Sequence, residues 1–342
     1  MTVMSIGVGR DRTGWHERVL EALDLRAAKG CPIRPVLVDI DAHDWLTSTL
    51  GLDALIWNPR VMGPVSASFF KEKVLFLEMY RGLRVMPSYR TMWHFESKVA
   101  QSYLLEQLEV PRPRTVVSFD YQDAVEAVKP LGLPVVAKKS HGASSKNVRL
   151  LKSQSELDHY LQREFAQQLW DERKSAEGSP RRAAASALLE PWFRQKVIDT
   201  MLDHERHGYV YFQEFVPDND CDLRILVIGR RVQGSWRANR ENDFRASGGG
   251  QTIWDRPIPE DAIRLCLETS RRIGADSLAF DLLLREGQRL IVEISYTMPP
   301  EVYAHGLNGH WLEEQDGRLT WVEGYVWPQE LWVIRLLEEL GL

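Results

Sequence analysis

The chain has 342 residues, 44% hydrophobic and 27% charged, enough apolar material for two or three packed units and too much for a disordered chain. A formal net charge of −5 argues against a nucleic-acid binder held by a basic surface. Cys31, Cys221 and Cys266 stand far apart and are odd in number, so they give neither a disulfide framework nor paired metal-ligand spacing. No run approaches the roughly 18 consecutive apolar residues that span a bilayer. The opening MTVMSIGVGRDRTGW lacks the basic start and apolar block of a signal peptide. A cytoplasmic enzyme is the expectation.

In chain order, VMSIGV (3–8) reads as a buried strand and HERVLEALDLRAAKG (16–30) as an amphipathic helix closed by Gly30. PVLVDID (35–41), ALIWNPR (54–60) and RVMPSY (84–89) supply further strands. Strand–helix–strand order at this spacing implies a parallel sheet with crossover helices, an α/β domain over residues 1–92. No GxGxxG follows the first strand, so no dinucleotide site is expected there.

A second domain is expected over 93–210. HFESKVAQSYLLEQLE (94–109) reads as a helix, stopped by the prolines of PRPRT (111–115). The apolar strand LPVVAKK (133–139) turns through the small-residue loop SHGASSKN (140–147) into VRLLKS, a hairpin. Residues 152–209 are charged, with a polar break at KSAEGSPRR (174–182), and read as a solvated helical insertion.

The third domain, 211–342, opens within YVYFQEFV (209–216). LRILVIG (223–229) with RVQGSWRAN (231–239), and LAFDLLLR (278–285) with RLIVEIS (289–295), form two antiparallel hairpins. The helix PEDAIRLCLETSRRIG (259–274) lies between them. The apolar stripe of QELWVIRLLEEL (329–340) leaves two uses open, a homodimer contact or packing on the chain's own core. Trp311, Trp321, Trp327 and Trp332 crowd the C-terminal part, as core packing or as a stacking surface for a ring-shaped substrate.

Asp281 and Glu293 each sit mid-strand in an apolar run, and a tight turn can bring them to one face. Two close carboxylates repel and desolvate unless something positive lies between them. A divalent cation with hard oxygen ligands is the favoured answer, and an ion pair with neighbouring arginines the alternative. Lys138 ends an apolar strand, Lys98 lies on the preceding helix, and Arg224, Arg237, Arg240 and Arg245 punctuate the arginine-rich hairpin and its exit. Arginine suits bidentate recognition of carboxylate or phosphoryl oxygens. Lysines, a glycine–serine loop, arginines and two carboxylates, in that order, form a phosphoryl-transfer inventory.

These stretches resemble the ATP-grasp carboxylate–amine ligases, nearest in pattern to glutathione synthetase and the ligases that add glutamate to ribosomal-protein tails. The resemblance covers roughly residues 85–300 and rests on VPRPRT, LPVVAKKSHGASSKNV, YFQEFV, CDLRILVIGRRVQGSWRA…NDFRASGGG and LAFDLLLR…LIVEIS. It implies an α/β ATP-grasp fold behind an N-terminal Rossmann-like domain, with ATP and Mg²⁺, or Mn²⁺ in its place. By that resemblance Lys98 and Lys138 contact phosphates and base, Gly142, Ala143, Ser144 and Ser145 close over the triphosphate, and Gln213, Glu214 and Val216 line the adenine. Asp222 would sit near the ribose, and Arg224 and Arg237, with Lys138, would steady the transferring phosphoryl. Asp281 and Glu293 would hold the metal. Where the family usually places asparagine this chain has Ser295, a weaker ligand. The C-terminal EISYTMPPEVY stretch also resembles ATP-grasp proteins of capsule and surface-polysaccharide loci.

The implied chemistry joins a small-molecule carboxylate to an amine through an acyl-phosphate. Arg240, Arg245, Gly248 and Gly249 are the candidate acceptor residues for an acidic sugar or amino-acid-like acid, with amidation of a uronic acid in envelope glycan synthesis as the favoured specialisation. A phosphotransferase acting on a hydroxyl and a non-catalytic nucleotide-binding module are the alternatives. Neither a nucleic-acid partner nor a membrane span is expected.

Overall fold

The computed structural model describes residues 2–11, 13–59, 64–141, 147–166, 168–169, 208–241, 243–246, 251–297 and 308–342. The loop residues Gly142 to Ser145, Gly248 and Gly249, and most of the expected insertion over 152–209 lie outside them. Two compact units form. One comprises residues 1–97, 104–111 and 218–342, the other 98–103 and 112–217.

The first unit opens with β1 (Met4–Gly9), α1 (Trp15–Ala28), β2 (Ile33–Val38), β3 (Ala54–Ile56), α2 (Pro64–Arg81) and β4 (Arg84–Met86). Its four strands run parallel in the order β2-β1-β3-β4, as strand–helix alternation requires. The helix α2 is an element the sequence reading passed over. Val74 and Leu77 of α2 enter the same core as Val19 and Leu23 of α1 and Ile6, Val8, Leu55 and Ile56 of the sheet.

After α3 (Lys98–Gln107), the second unit builds an antiparallel sheet from β5 (Thr115–Ser118), β6 (Val135–Lys138), β7 (Val148–Leu151) and β8 (Val210–Glu214), ordered β5-β8-β6-β7. The expected hairpin is the pair β6–β7, and β5 is a further strand of the same sheet. Two helices, α4 (Tyr121–Val128) and α5 (Gln154–Glu164), cover this sheet. Ala124 and Val128 from the first, and Leu157, Tyr160 and Leu161 from the second, pack with Val135, Ala137, Val210 and Phe212. Side-chain caps start both helices: Asp120 accepts from the Asp123 N–H at 2.9 Å and Ser153 from the Glu156 N–H at 3.3 Å.

The first unit resumes with β9 (Cys221–Ile228), β10 (Arg231–Ala238), β11 (Thr252–Ile253), α6 (Glu260–Ile273), β12 (Ser277–Arg285), β13 (Gln288–Ser295), β14 (Gly309–Glu313), β15 (Leu319–Glu323) and α7 (Pro328–Glu339). Strand order is β13-β12-β9-β10-β14-β15, with β11 paired to β10. Both expected hairpins are present. Along α6, Ala262, Ile263, Cys266, Leu267 and Ser270 recur at helical spacing and are buried. This stripe packs on the sheet face bearing Leu223, Ile225, Val227, Leu278 and Phe280. Gly274 closes α6 at φ +70°, a left-handed conformation that favours glycine.

The aromatic C-terminal segment divides three ways. Trp332 is core, set edge-on to Trp15 with ring centroids 4.8 Å apart. Trp311 and Trp321 face each other across β14–β15, a hairpin the sequence reading did not anticipate. Trp327 has the Arg18 guanidinium 4.7 Å from its ring centroid. Leu331, Trp332, Val333, Leu336 and Leu337 of α7 join the core of the parallel sheet. That stripe is therefore used within the chain.

A polar clamp joins the parallel sheet to the start of β12. Asp276, its side chain 5% exposed, accepts from Arg84 at 2.6 Å, from the Ser88 N–H at 2.7 Å and from the Thr91 hydroxyl at 3.1 Å. Arg84 also holds Glu339 of α7 at 2.7 and 2.8 Å. Removing one member strands buried partners. Asp276→Ala is expected to lower the unfolding free energy by about 3 kcal/mol, measured by urea denaturation. Asp276→Asn should lose less, because its carboxamide oxygen still accepts. Equal losses in the two variants would show that the ionic contact with Arg84 alone carries the effect.

Candidate functional site

Strands β13, β12, β9 and β10 present one charged face, and their register decides which residues share it. Across the turn that starts at Gly229, Asp222 pairs with Arg237 and Arg224 with Ser235. On the other side of β9, Arg224 pairs with Asp281. Successive side chains alternate faces, so Asp222, Arg224, Ser235, Arg237 and Asp281 project together.

Glu293 joins them through an irregularity. The β12–β13 turn at Glu286 and Gly287, with φ +50° and +83°, is the left-handed kind that matches strand twist. From it the ladder runs evenly to Leu282 opposite Ile291, then skips Val292, so that Asp281 pairs with Glu293. This β-bulge places one extra residue in β13. Without it, Asp281 would face Val292 and Glu293 would turn to the apolar side.

Asp281 receives two guanidiniums. Arg224 Nε and Nη2 donate to its two oxygens at 2.7 and 2.9 Å, and Arg237 reaches it at 2.9 Å. Arg237 also grips Asp222 bidentately, Nε at 2.7 Å and Nη2 closer still. These side chains are between 10% and 20% exposed. Burial pushes the Asp281 carboxyl up, but Arg224 and then Arg237 overcome it and hold it well below the ordinary range. Asp222 goes the other way. Burial first, then the Asp281 charge, raises it from 3.8 to about 6 despite Arg237. Arg237 is held protonated above its ordinary value; burial opposes this, but Asp281 and Asp222 outweigh it.

Asp281 and Glu293 are hard oxygen donors in cross-strand register, chemistry that suits Mg²⁺ or Mn²⁺. A cation held there would share Asp281 with the arginines. Among the described residues no group of three or more His, Cys, Asp and Glu gathers as a metal cluster. The Ser295 hydroxyl donates to the Thr297 carbonyl at 2.9 Å, which engages it in a turn.

The candidate nucleotide residues of the second unit form their own group. Lys138 is buried, and its ammonium donates to Gln213 Oε1 at 2.7 Å and lies 5.9 Å from the Tyr211 ring centroid. β6 and β8 pair Lys138 with Tyr211, and Val136 with Gln213. Lys98 opens α3, its backbone N–H donating to the Ser140 carbonyl at 3.0 Å. Glu214 is held by Arg114, Nε to Oε2 at 3.1 Å, and Val216 is buried two residues on. Tyr211 and Arg114 were not singled out from sequence, yet each touches a residue that was.

Of the candidate acceptor residues, Arg245 is folded onto Asp243 at 2.6 to 2.9 Å. The Arg240 N–H donates to the Arg245 carbonyl at 3.1 Å. The tie between Asp222 and Arg237 was also missed. It was readable, because the two lie at nearly equal distances on either side of the Gly229 turn.

Comparisons with known proteins bear on the fold. The crystal structure of a RimK domain ATP-grasp protein from Sphaerobacter thermophilus superposes with a TM-score of 0.52 at 17% identity, over 88% of this chain and 94% of that one. D-alanine–D-alanine ligase from Bacillus anthracis gives a TM-score of 0.51 at 13% identity, over 86% of each chain. The protein has the ATP-grasp fold.

Residues 194–301 match the RimK-like ATP-grasp domain. The α-aminoadipate–LysW ligase LysX of Saccharolobus solfataricus is 26% identical over 221 residues, 64% of this chain and 67% of that protein. The chain therefore has the ATP-grasp fold, with the RimK-like match lying in residues 194–301, and is similar in sequence to the LysX ligase.

The opposed shifts of the two aspartates have a measurable consequence. A carboxyl that keeps its proton longer when folded makes the folded state bind more protons than the unfolded one. Rising pH between 3.8 and about 6 therefore removes stability through Asp222. Asp222→Asn lacks this loss and should gain on the native chain by up to about 3 kcal/mol between pH 4 and pH 7. Urea denaturation of both proteins across that range reads it. A constant difference would place the Asp222 pKa at its ordinary value.

Proposed function

We propose that this protein is an ATP-dependent carboxylate–amine ligase that activates its acid as an acyl-phosphate. The observation that carries the reading is the single sheet face on which Arg224, Arg237, Asp281 and Glu293 converge. A carboxylate oxygen of the acid attacks the γ-phosphorus of ATP, the bond to the β-phosphate oxygen breaks, and ADP leaves. The amine nitrogen then attacks the acyl carbon, phosphate departs with the C–O bond, and the nitrogen loses a proton. Bound by Asp281 and Glu293, Mg²⁺ would supply charge neutralisation to the phosphates. Arg224 and Arg237 offset charge spreading over the transferring phosphoryl, pre-oriented by Asp281 and Asp222 so that little reorganisation is needed. Lys138 and Lys98 contact ATP, Gln213, Glu214 and Val216 line its base, and the 142–145 loop covers its phosphates to exclude water.

An amino-acid-like substrate is favoured over an acidic sugar, because the LysX relative is by name a ligase of α-aminoadipate and LysW. Asp222 serves Arg237 in this reading and leaves the ribose to other groups, since Arg237 takes both its oxygens.

The test is ADP release from Mg²⁺·ATP against a panel of carboxylic acids, with hydroxylamine trapping the acyl-phosphate. Acid-dependent hydroxamate is expected, falling at least about a hundredfold in Glu293→Ala. ADP release driven by hydroxyl acceptors without hydroxamate would assign a phosphotransferase instead. Nucleotide binding without turnover would leave a binding module.

A further inference from the structure

The reverse face of the same sheet carries an open pocket of about 400 Å³. Cys221, Trp236 and Leu282 are the chain neighbours of Asp222, Arg237 and Asp281, and strand alternation turns them to this opposite side. Trp236 forms one wall. Its indole is buried, and its Nε1–H donates to the Pro257 carbonyl at 3.1 Å, which fixes the ring. The Arg256 guanidinium stacks 3.9 Å from the ring centroid and donates to Cys221 Sγ at 3.1 Å. Arg289 lies 5.7 Å from the same ring and reaches Asp261 at 3.4 Å. Arg256 makes no ion pair with a carboxylate among the described residues.

Negative charge lines the same pocket. Asp218 and Asp220 stand in the turn ahead of β9. That turn is pinned, because the Asn219 side chain donates to the Leu284 carbonyl at 3.0 Å and accepts from the Leu284 N–H at 2.9 Å. The lining thus offers two guanidiniums, two carboxylates and the apolar surface of Leu284 and Pro257, with Trp236 and Leu282 buried behind it. Its volume is at the small end of the range for ligand sites.

We infer that this pocket binds a free α-amino acid with an apolar side chain, on the face away from the proposed chemistry. A guanidinium stacked on an indole keeps its N–H edge for a carboxylate, which it takes bidentately. The ammonium then meets Asp218 or Asp220, and the side chain covers Leu284 and Pro257. The balanced charge of the lining selects a zwitterion. A phosphate dianion would gain from the arginines but face both aspartates, and an amine alone would leave Arg256 unmatched.

The test is calorimetric titration of the full chain, without nucleotide, using L-leucine, 4-methylpentanoate, 3-methylbutylamine and inorganic phosphate. L-Leucine is expected to bind one-to-one, and the acid and amine lacking one charge to bind about tenfold more weakly or worse. Arg256→Met keeps the stem on Trp236 and should lose about tenfold or more in affinity, with Arg256→Lys intermediate because it keeps the charge without the fork. An unchanged thermal midpoint in Arg256→Lys shows that the fold persists. Equal binding by the native chain and Arg256→Met, no heat with L-leucine, or phosphate binding in its place would each overturn the inference. Because the proposed catalytic groups are untouched in these variants, loss of leucine binding with ligase activity retained separates this pocket from the reaction's own acid site.

Discussion

The charged sheet face is organised by one carboxylate that two guanidiniums share. Asp281 sits where β12 meets β9, with Arg224 beside it and Arg237 reaching over from β10. Such a group cannot exist singly in an apolar sheet, since each partner's desolvation is offset only while the others stay in place. The three strands must therefore keep their register. A slip of one residue would turn Asp281, Arg224 and Arg237 into the core and bring Phe280 and Trp236 out. The ion network and the apolar core under α6 thus specify the same alignment from opposite faces of one sheet.

The skipped residue in β13 adds the last member. Turn geometry and hydrophobic alternation would by themselves carry β13 past Asp281 with its acidic residue facing the wrong way. Val292 absorbs the mismatch, and Ile291 and Ile294 both stay buried on either side of it. A bulge costs ladder regularity, and this one re-aims a carboxylate onto the charged face.

Much of this was legible before any coordinates, and the reasons differ by element. Hairpins with short turns announce themselves through apolar runs flanking glycine, so β9–β10 and β12–β13 were readable, and with them the set Arg224, Arg237, Asp281 and Glu293. The parallel strands were readable because both faces are covered and the runs are continuously apolar. What escaped was of two kinds. The helix α2 and the strand β5 lie where apolar residues follow neither period cleanly, and β14–β15 was obscured by aromatic residues that suggested a ligand surface. Pairings such as Asp222 with Arg237 and Arg114 with Glu214 are tertiary facts. The first follows from register arithmetic around a turn, but the second joins residues 100 apart, and no local signal reports it.

Asp222 and Asp281 are the same side chain on neighbouring strands, both nearly buried, and they titrate in opposite directions. The difference is the count of guanidiniums. Asp281 has two and is a fixed anion; Asp222 shares one of those two and carries the field of Asp281 as well. A group with a pKa near neutrality in a network of fixed charges is the place where that network yields. Arg237 is tied to both carboxylates at once, through two hydrogen bonds to Asp222 and one contact at 2.9 Å to Asp281. The arginine is therefore held in one orientation on the sheet face by two anions on different strands, and neither contact alone fixes it.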